Sequence, residues 1–530
     1  MKLTHASAAI LLAASLASCA APNRAEEDAS SDATLAQTET GKVKGVQQEG
    51  VIAFKGIPYA APPIGDLRWR APQPAKSWDG TLEATAFGHD CMQIPFAADE
   101  APLTTTPAED CLYVNVWKPA DAKEGDKLPV LFWIYGGGWV NGGSSPSVYD
   151  GAPLAEEGLV VVSFNYRLGR FGFFAHPALT AANEDNGLLG NYGYLDQIAA
   201  LEWVNENIAA FGGDPEKITI MGESAGGSAV LNLMTTPLAD GLFEGAIAMS
   251  APARMDAMQK PVTSDDRPDG EDDGVGFAKW AGITGDGRDA LKQLRALPAD
   301  TIVAGTGMAS KPVAPASGPM IDGTIITGPS NAFEAGREEM VPLMIGTTSM
   351  DLGFGPPLTP DELFAGFSDP ESAREAYAAF SDDPSRLRQA IYSDMLMAEP
   401  ARFVANAHTA QGQPVWYYRF GYVADSKRDE WPGAPHATDI PYFMDTVSAR
   451  YGDATTQDDR EAAAQMSDYV VSFVKTGDPS DAAAPDWLRY EPVEQPILLL
   501  TKDGPELTPD PLADRLDAVE TWSMPEPGKD

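Results

Sequence analysis

The segment Gly222-Glu223-Ser224-Ala225-Gly226-Gly227 constrains this chain more than any other. An apolar run, Ile218-Thr219-Ile220-Met221, precedes it and reads as a buried strand. Ser228-Ala229-Val230-Leu231-Asn232-Leu233-Met234 follows and reads as a helix. A G-x-S-x-G pattern at a strand-to-helix junction is a nucleophile elbow. Its glycines permit a turn so tight that the serine hydroxyl stands clear of the sheet, at the positive end of the helix.

The surrounding text is what such an elbow requires. Residues 130–135, 159–166, 218–221 and 245–250 are apolar on both faces, as strands covered by helices must be. Between them, residues 194–211 place Leu195, Ile198, Leu201, Val204 and Ile208 on one helical face, and Gly212-Gly213-Asp214-Pro215 ends that helix. Strand and helix in alternation specify an α/β fold with a mostly parallel central sheet and helices on both faces. Residues 41–46 and 51–54 read as an antiparallel hairpin, and with a strand at 112–117 they form the N-terminal edge of the sheet. Later strands are expected at 342–346, 414–420 and 496–501, with helices near 460–475 and 510–522. Residues 251–340 are less regular. Within them, residues 263–274 imitate a calcium loop, but Arg267 occupies the third ligand position and no Glu stands at the twelfth. The segment reads as a solvated loop; no metal site and no cofactor is implied. Residues 38–530 read as one domain with insertions.

The N-terminus reads as an export signal. Lys2 is followed by an apolar stretch over residues 6–17, too short for a permanent membrane span. Leu16-Ala17-Ser18-Cys19 resembles a bacterial lipoprotein cleavage box, making residues 1–18 the signal peptide and Cys19 the lipidated first residue. A plain signal peptide cut at a small residue is the alternative. Residues 19–37, rich in Ala, Glu, Asp and Ser, read as an acidic flexible tether. The expected location is the periplasm or the outer membrane, with membrane contact only through the lipid on Cys19. Lipidation also accounts for the odd total of three cysteines, leaving Cys91 and Cys111 as a pair able to close a loop in an oxidising compartment. With 77 acidic against 37 basic residues, the formal charge is −40. Such a surface repels nucleic acid and anionic lipid, and reads as an acidic solvated exterior.

A serine hydroxyl becomes a useful nucleophile when a neighbouring base takes its proton, and that base needs an orienting acid. The chain has five histidines. His5 lies in the signal, His89 near Cys91, His176 before Pro177, and His408 in a helical stretch. His436, preceded by Gly433-Ala434-Pro435, falls late enough to serve as base in the chain order serine, acid, histidine. Asp351, just beyond the strand Val341-Pro342-Leu343-Met344-Ile345-Gly346, is the candidate acid, with a solvated aspartate as its alternative. Tyr135-Gly136-Gly137-Gly138-Trp139 directly follows a strand, as an oxyanion-binding glycine loop does. The amides of Gly137, Gly138 and Ala225 would then form a three-donor oxyanion hole.

With these residues in place, the chain resembles the type-B carboxylesterases of the α/β-hydrolase fold over residues 38–520. The likeness is carried by Phe54-Lys55-Gly56-Ile57-Pro58-Tyr59-Ala60, Leu67-Arg68-Trp69, Glu109-Asp110-Cys111-Leu112-Tyr113-Val114-Asn115-Val116, Trp133-Ile134-Tyr135-Gly136-Gly137-Gly138, Phe211-Gly212-Gly213-Asp214-Pro215 and the elbow. The resemblance implies the same triad and oxyanion hole, a Cys91–Cys111 bridge, and Glu223 as a carboxylate near the imidazole, a merely structural role being its alternative. It implies a serine hydrolase acting on small-molecule carboxylic esters without a cofactor. An amidase or β-lactam-directed hydrolase with the same triad, and a non-catalytic binding protein on the same fold, stay open. Two departures stand out. The family's usual acid is Glu, where this chain has Asp351, and the 91–111 loop holds Phe96 but neither Trp nor Tyr, so a cholinesterase-like aromatic platform has no counterpart there. Walls from 251–340 and from around 354–400 are expected to set specificity.

Overall fold

The computed structural model describes residues 32–96, 100–254, 259–266, 268–315, 318–481 and 486–523. The expected signal peptide, Cys19 and most of the tether lie outside them. Its frame is an 11-stranded sheet. In chain order the strands are β1 (Val46–Gln47), β2 (Val51–Pro58), β3 (Tyr113–Pro119), β4 (Leu128–Ile134), β5 (Val160–Phe164), β6 (Gly213–Glu223), β7 (Gly245–Met249), β8 (Leu343–Thr348), β9 (Val415–Phe420), β10 (Pro496–Thr501) and β11 (Gly504–Pro509). Their spatial order is β11-β10-β9-β8-β7-β6-β4-β5-β3-β2-β1. The run from β10 to β5 is parallel throughout. Strands β3, β2 and β1 join it antiparallel at the N-terminal edge, and β11 closes the far edge as a hairpin with β10. Successive residues of a strand face opposite sides, so the unbroken burial of β5, β7, β8 and β9 means both faces are covered.

Three expectations need correction. The strand expected over 41–46 is two strands: Lys42–Lys44 joins Leu35–Gln37 and Thr81–Glu83 in a separate three-stranded sheet, and only β1 pairs with β2. The break falls at Gly45, where a Cβ would lie 2.6 Å from the Ala53 carbonyl oxygen, so the chain slips past β2 only as glycine. The same small sheet shortens the tether, because Leu35–Gln37 is ordered strand pairing residue for residue with Lys42–Lys44. The third is the solvated loop at 263–274. Asp269 caps a helix, Gly270–Trp280, by accepting from the Asp272 amide at 2.8 Å while Asp272 accepts from the Asp269 amide. The acidic spacing that imitated a calcium loop is a capping box.

Helix α1 (Tyr192–Asn207) occupies the expected helical run but is buried nearly all round rather than on one face, and gives way to a 3-10 turn, Ile208–Phe211, ended by Gly212 at φ 89°. Helix α2 (Ala225–Leu233) rises from the elbow. Cys91 and Cys111 are joined by a disulfide. No helix among the described residues is long and apolar enough to cross a membrane.

Candidate active site

The residues picked out for chemistry sit at or beyond the C-terminal ends of parallel strands, the crevice where α/β sheets place their sites. Glu223 is the last residue of β6, Ser224 the elbow, and Ala225 the first residue of α2. Ser224 holds φ 57° and ψ −119°, a conformation a non-glycine residue adopts only when its surroundings impose it. They do so by crowding. A Cβ on Gly222 would lie 2.4 Å from the Gly226 carbonyl oxygen, and one on Gly226 2.1 Å from that of Ile134. The Ser224 amide donates to the Met249 carbonyl at 3.0 Å, tying the elbow to β7.

Gly137 and Gly138 lie in the turn after β4, at φ 108° and φ 61°. The Gly137 carbonyl accepts from the Asn141 amide at 3.0 Å, which closes the turn. A Cβ on Gly136 would meet the Glu223 carbonyl oxygen at 2.5 Å, so this loop packs backbone to backbone against the elbow. Gly137, Gly138, Ser224, Ala225, Glu223 and His436 line one cavity of about 460 Å³. Its other walls are mainly apolar and include Phe96, Tyr149, Met308, Phe354 and Leu396. Met308, Phe354 and Leu396 come from the segments expected to set specificity.

His436 Nδ1 lies 2.5 Å from Asp351 Oδ1. The Asp351 carboxylate is buried and fully engaged: Oδ2 accepts from Ser250 Oγ at 2.7 Å and the Thr348 amide at 3.0 Å, and Oδ1 also accepts from the Leu352 amide at 2.7 Å. Burial alone would raise this carboxyl; the His436 charge and these donors outweigh it and hold it below the ordinary aspartate value. With Nδ1 held by Asp351, the imidazole presents Nε2 to the cavity, 3.1 Å from Glu223 Oε1. Burial raises Glu223 to about 8. Burial would lower His436, but the carboxylates of Glu223 and Asp351 reverse the direction and raise it to about 10. Glu223 and Asp351 thus place negative charge on both sides of the imidazole and favour its protonated form.

Two contributors escaped the sequence reading. Ser250, one residue past β7, anchors Asp351 from the strand adjacent to the elbow. Asp439, one turn beyond His436, is fully buried; burial and the Asp351 charge raise it to about 7, and Tyr418 Oη donates to it at 3.2 Å. Its i+3 spacing from His436 was the available signal. The other described histidines are structurally engaged: His408 is buried between Glu338 Oε1 at 3.0 Å and the Val341 carbonyl at 2.8 Å, His176 caps a short helix, and His89 Nδ1 lies 2.8 Å from the Thr106 carbonyl.

The carboxylesterase family model matches residues 32–373 and 370–516. The fumonisin B1 esterase of Sphingopyxis macrogoltabida is 34% identical over 475 residues, covering 86% of this chain and 84% of the relative. The para-nitrobenzyl esterase of Bacillus subtilis (strain 168) is 34% identical over 491 residues, 88% of this chain and 95% of the relative. A solved structure of PNB esterase superposes with a TM-score of 0.76 at 30% identity, covering 92% of this chain and 99% of the other. With its α/β-hydrolase sheet and its elbow, this chain belongs to the carboxylesterase family.

Proposed function

We propose that the protein hydrolyses small to medium carboxylic esters through a Ser224–His436–Asp351 triad and an acyl-enzyme. The observation that carries this reading is the line from the buried, fully engaged Asp351 through His436 Nδ1 to an imidazole that shares one cavity with Ser224 and the glycine loop. His436 Nε2 removes the Ser224 proton as Oγ attacks the acyl carbon. The amides of Gly137, Gly138 and Ala225 take the oxyanion, each donor being worth roughly 3–4 kcal/mol. The imidazolium protonates the leaving alcohol, and water, activated by the same base, releases the acid and restores Ser224. Glu223, 3.1 Å from Nε2, adds a second negative charge beside the imidazole without replacing Asp351 as the acid. The largely apolar cavity favours esters with apolar groups near the scissile bond.

The test is hydrolysis of an ester series graded in acyl length and alcohol bulk, with Ser224→Ala as control. Turnover by the parent and its loss in the variant is expected; equal turnover by both contradicts the mechanism. We also propose that the protein is exported and anchored by a lipid on Cys19, a reading supported by the Cys91–Cys111 bridge, since disulfides persist in oxidising compartments. Incorporation of labelled fatty acid that survives Cys19→Ser would contradict it.

A further inference from the structure

Among the described residues, the buried arginines come with carboxylates, except one. Arg68 pairs with Glu109 at 2.6 Å, Arg167 with Asp196 at 2.7 Å, Arg402 with Asp517 at 2.6 Å, and Arg419 with Asp510 at 3.9 Å. Arg170 is 1% exposed and has no carboxylate within ion-pair distance among the described residues. In a chain with 77 acidic and 37 basic residues this is the reverse of what composition favours. A buried charge without a counter-charge is costly, and its neighbours offset the cost only in part. Nη1 donates to the carbonyls of Ile302 and Ala304 at 3.1 and 2.7 Å, and Nη2 to that of Pro315 at 3.1 Å. The guanidinium also lies 4.7 Å from the Phe277 ring centroid. Nε–H is buried and has no acceptor among the described residues. Burial lowers the guanidinium to about 10, so it stays charged at neutral pH.

The Nε and Nη2 edge is the one that Arg68 and Arg167 present to both oxygens of a carboxylate. Arg170 lines a second cavity of about 540 Å³, with the aromatic walls Phe173, Phe174 and Phe277. Lys260 and Asp273, also in that lining, neutralise one another, Nζ lying 2.8 and 2.7 Å from the two carboxylate oxygens. Among the described residues of the lining, the excess charge is thus the Arg170 cation. Gly138 and Trp139 belong to the walls of both this cavity and the one holding Ser224. Trp139 stands between them at φ 61°, its Nε1 donating to Tyr194 Oη at 3.3 Å.

We propose that the second cavity is a carboxylate subsite of the ester-binding site, with Arg170 as its receptor, so that preferred substrates are esters carrying a free carboxylate at a fixed reach from the scissile bond. The assignment rests on the ester-hydrolase reading above. A planar, bidentate carboxylate is the ligand that a guanidinium edge matches best, and flat apolar walls suit the chain or ring that carries it.

Two substrate series test this. Monoethyl esters of dicarboxylic acids of increasing length put the carboxylate on the acyl side, and acetyl esters of ω-hydroxy acids put it on the alcohol side. Each is compared with the same compound capped as a neutral ester. In one series, kcat/KM for the acid over its capped partner is expected to peak at one length, at about tenfold or more, and Arg170→Gln should flatten the peak. Arg170 also ties down the 302–315 segment, so a second variant leaves its hydrogen bonds intact. A Cβ on Gly318, in the cavity lining, meets nothing within 4 Å, and Gly318→Phe should fill the space and flatten the same peak. A flat or inverted ratio at every length in both series overturns the subsite, as does a peak that survives both substitutions. Hydrolysis of the neutral esters reports separately on the ester-hydrolase reading. Should that fail, calorimetric titration of the Ser224→Ala protein with the free dicarboxylic acids still decides the subsite: binding that Gly318→Phe abolishes supports it, and no binding at any length overturns it.

Discussion

At the scale of single residues, one imidazole stands with carboxylates on two sides. Asp351→Asn keeps the size of the acid but leaves the imidazole in the wrong tautomer, and kcat is expected to fall about 10³- to 10⁴-fold with little change in KM. An undiminished kcat would require another acid. Ser250→Ala removes one of several donors to Asp351, so a loss nearer fivefold is expected, about 1 kcal/mol in kcat. Glu223 gives a pH prediction. The imidazole accepts a proton only when neutral, so activity rises with pH toward the His436 value, which the carboxylates raise to about 10. Glu223→Gln removes an anion that stabilises the imidazolium; the His436 value falls, and the rising limb of kcat/KM should move to lower pH by about one on the pH scale. A limb that stays put contradicts an electrostatic hold of Glu223 on the imidazole. Ser224, His436 and Asp351 were legible because a strand-bounded motif, a chain order and a count of five histidines leave few choices. Ser250 and Asp439 were not, since their roles depend on which strands neighbour each other and on burial, and serines and aspartates are common.

At the scale of elements, the elbow is the least tolerant joint. Gly226→Ala sets a methyl 2.1 Å from the Ile134 carbonyl, against the backbone of β4, where no flexible side chain can yield. A destabilisation of about 3 kcal/mol is expected by denaturant titration, with loss of activity as Ser224 shifts. Stability within about 0.5 kcal/mol of the parent would mean that the elbow is less tightly packed than described. The same crowding explains why the elbow could be read from sequence: backbone contacts demand glycine, and glycine is visible. The helix Gly270–Trp280 shows the opposite. Its capping box, Asp269 with Asp272, was present in the sequence, but a dense run of aspartates suits a metal loop, a solvated loop and a helix start equally well. Only packing of the following turns against the body of the protein decides among them.

At the scale of the whole molecule, the alternation of strand and helix made the α/β class legible, because strands covered on both faces carry a near-continuous apolar signal. The edge of the fold was less so. Leu35–Gln37 is three residues long and gains its place from pairing with Lys42–Lys44, a contact that local composition does not encode. The Cys91–Cys111 bridge closes a sequence separation of 20. Replacing both cysteines with serine should cost about 3 kcal/mol of stability, read as a lower denaturation midpoint at unchanged slope; an unchanged midpoint would contradict that contribution. In the proposed mechanism Ser224, activated in this cavity, becomes covalently acylated. The most direct measurement of this step is mass spectrometry of the protein after inactivation by an ester-like fluorophosphonate. One phosphonyl adduct is expected on the peptide carrying Ser224, formed in step with loss of activity and absent from His436→Ala. Stoichiometric inactivation with the adduct on another residue, or full activity after Ser224 is labelled, would contradict it.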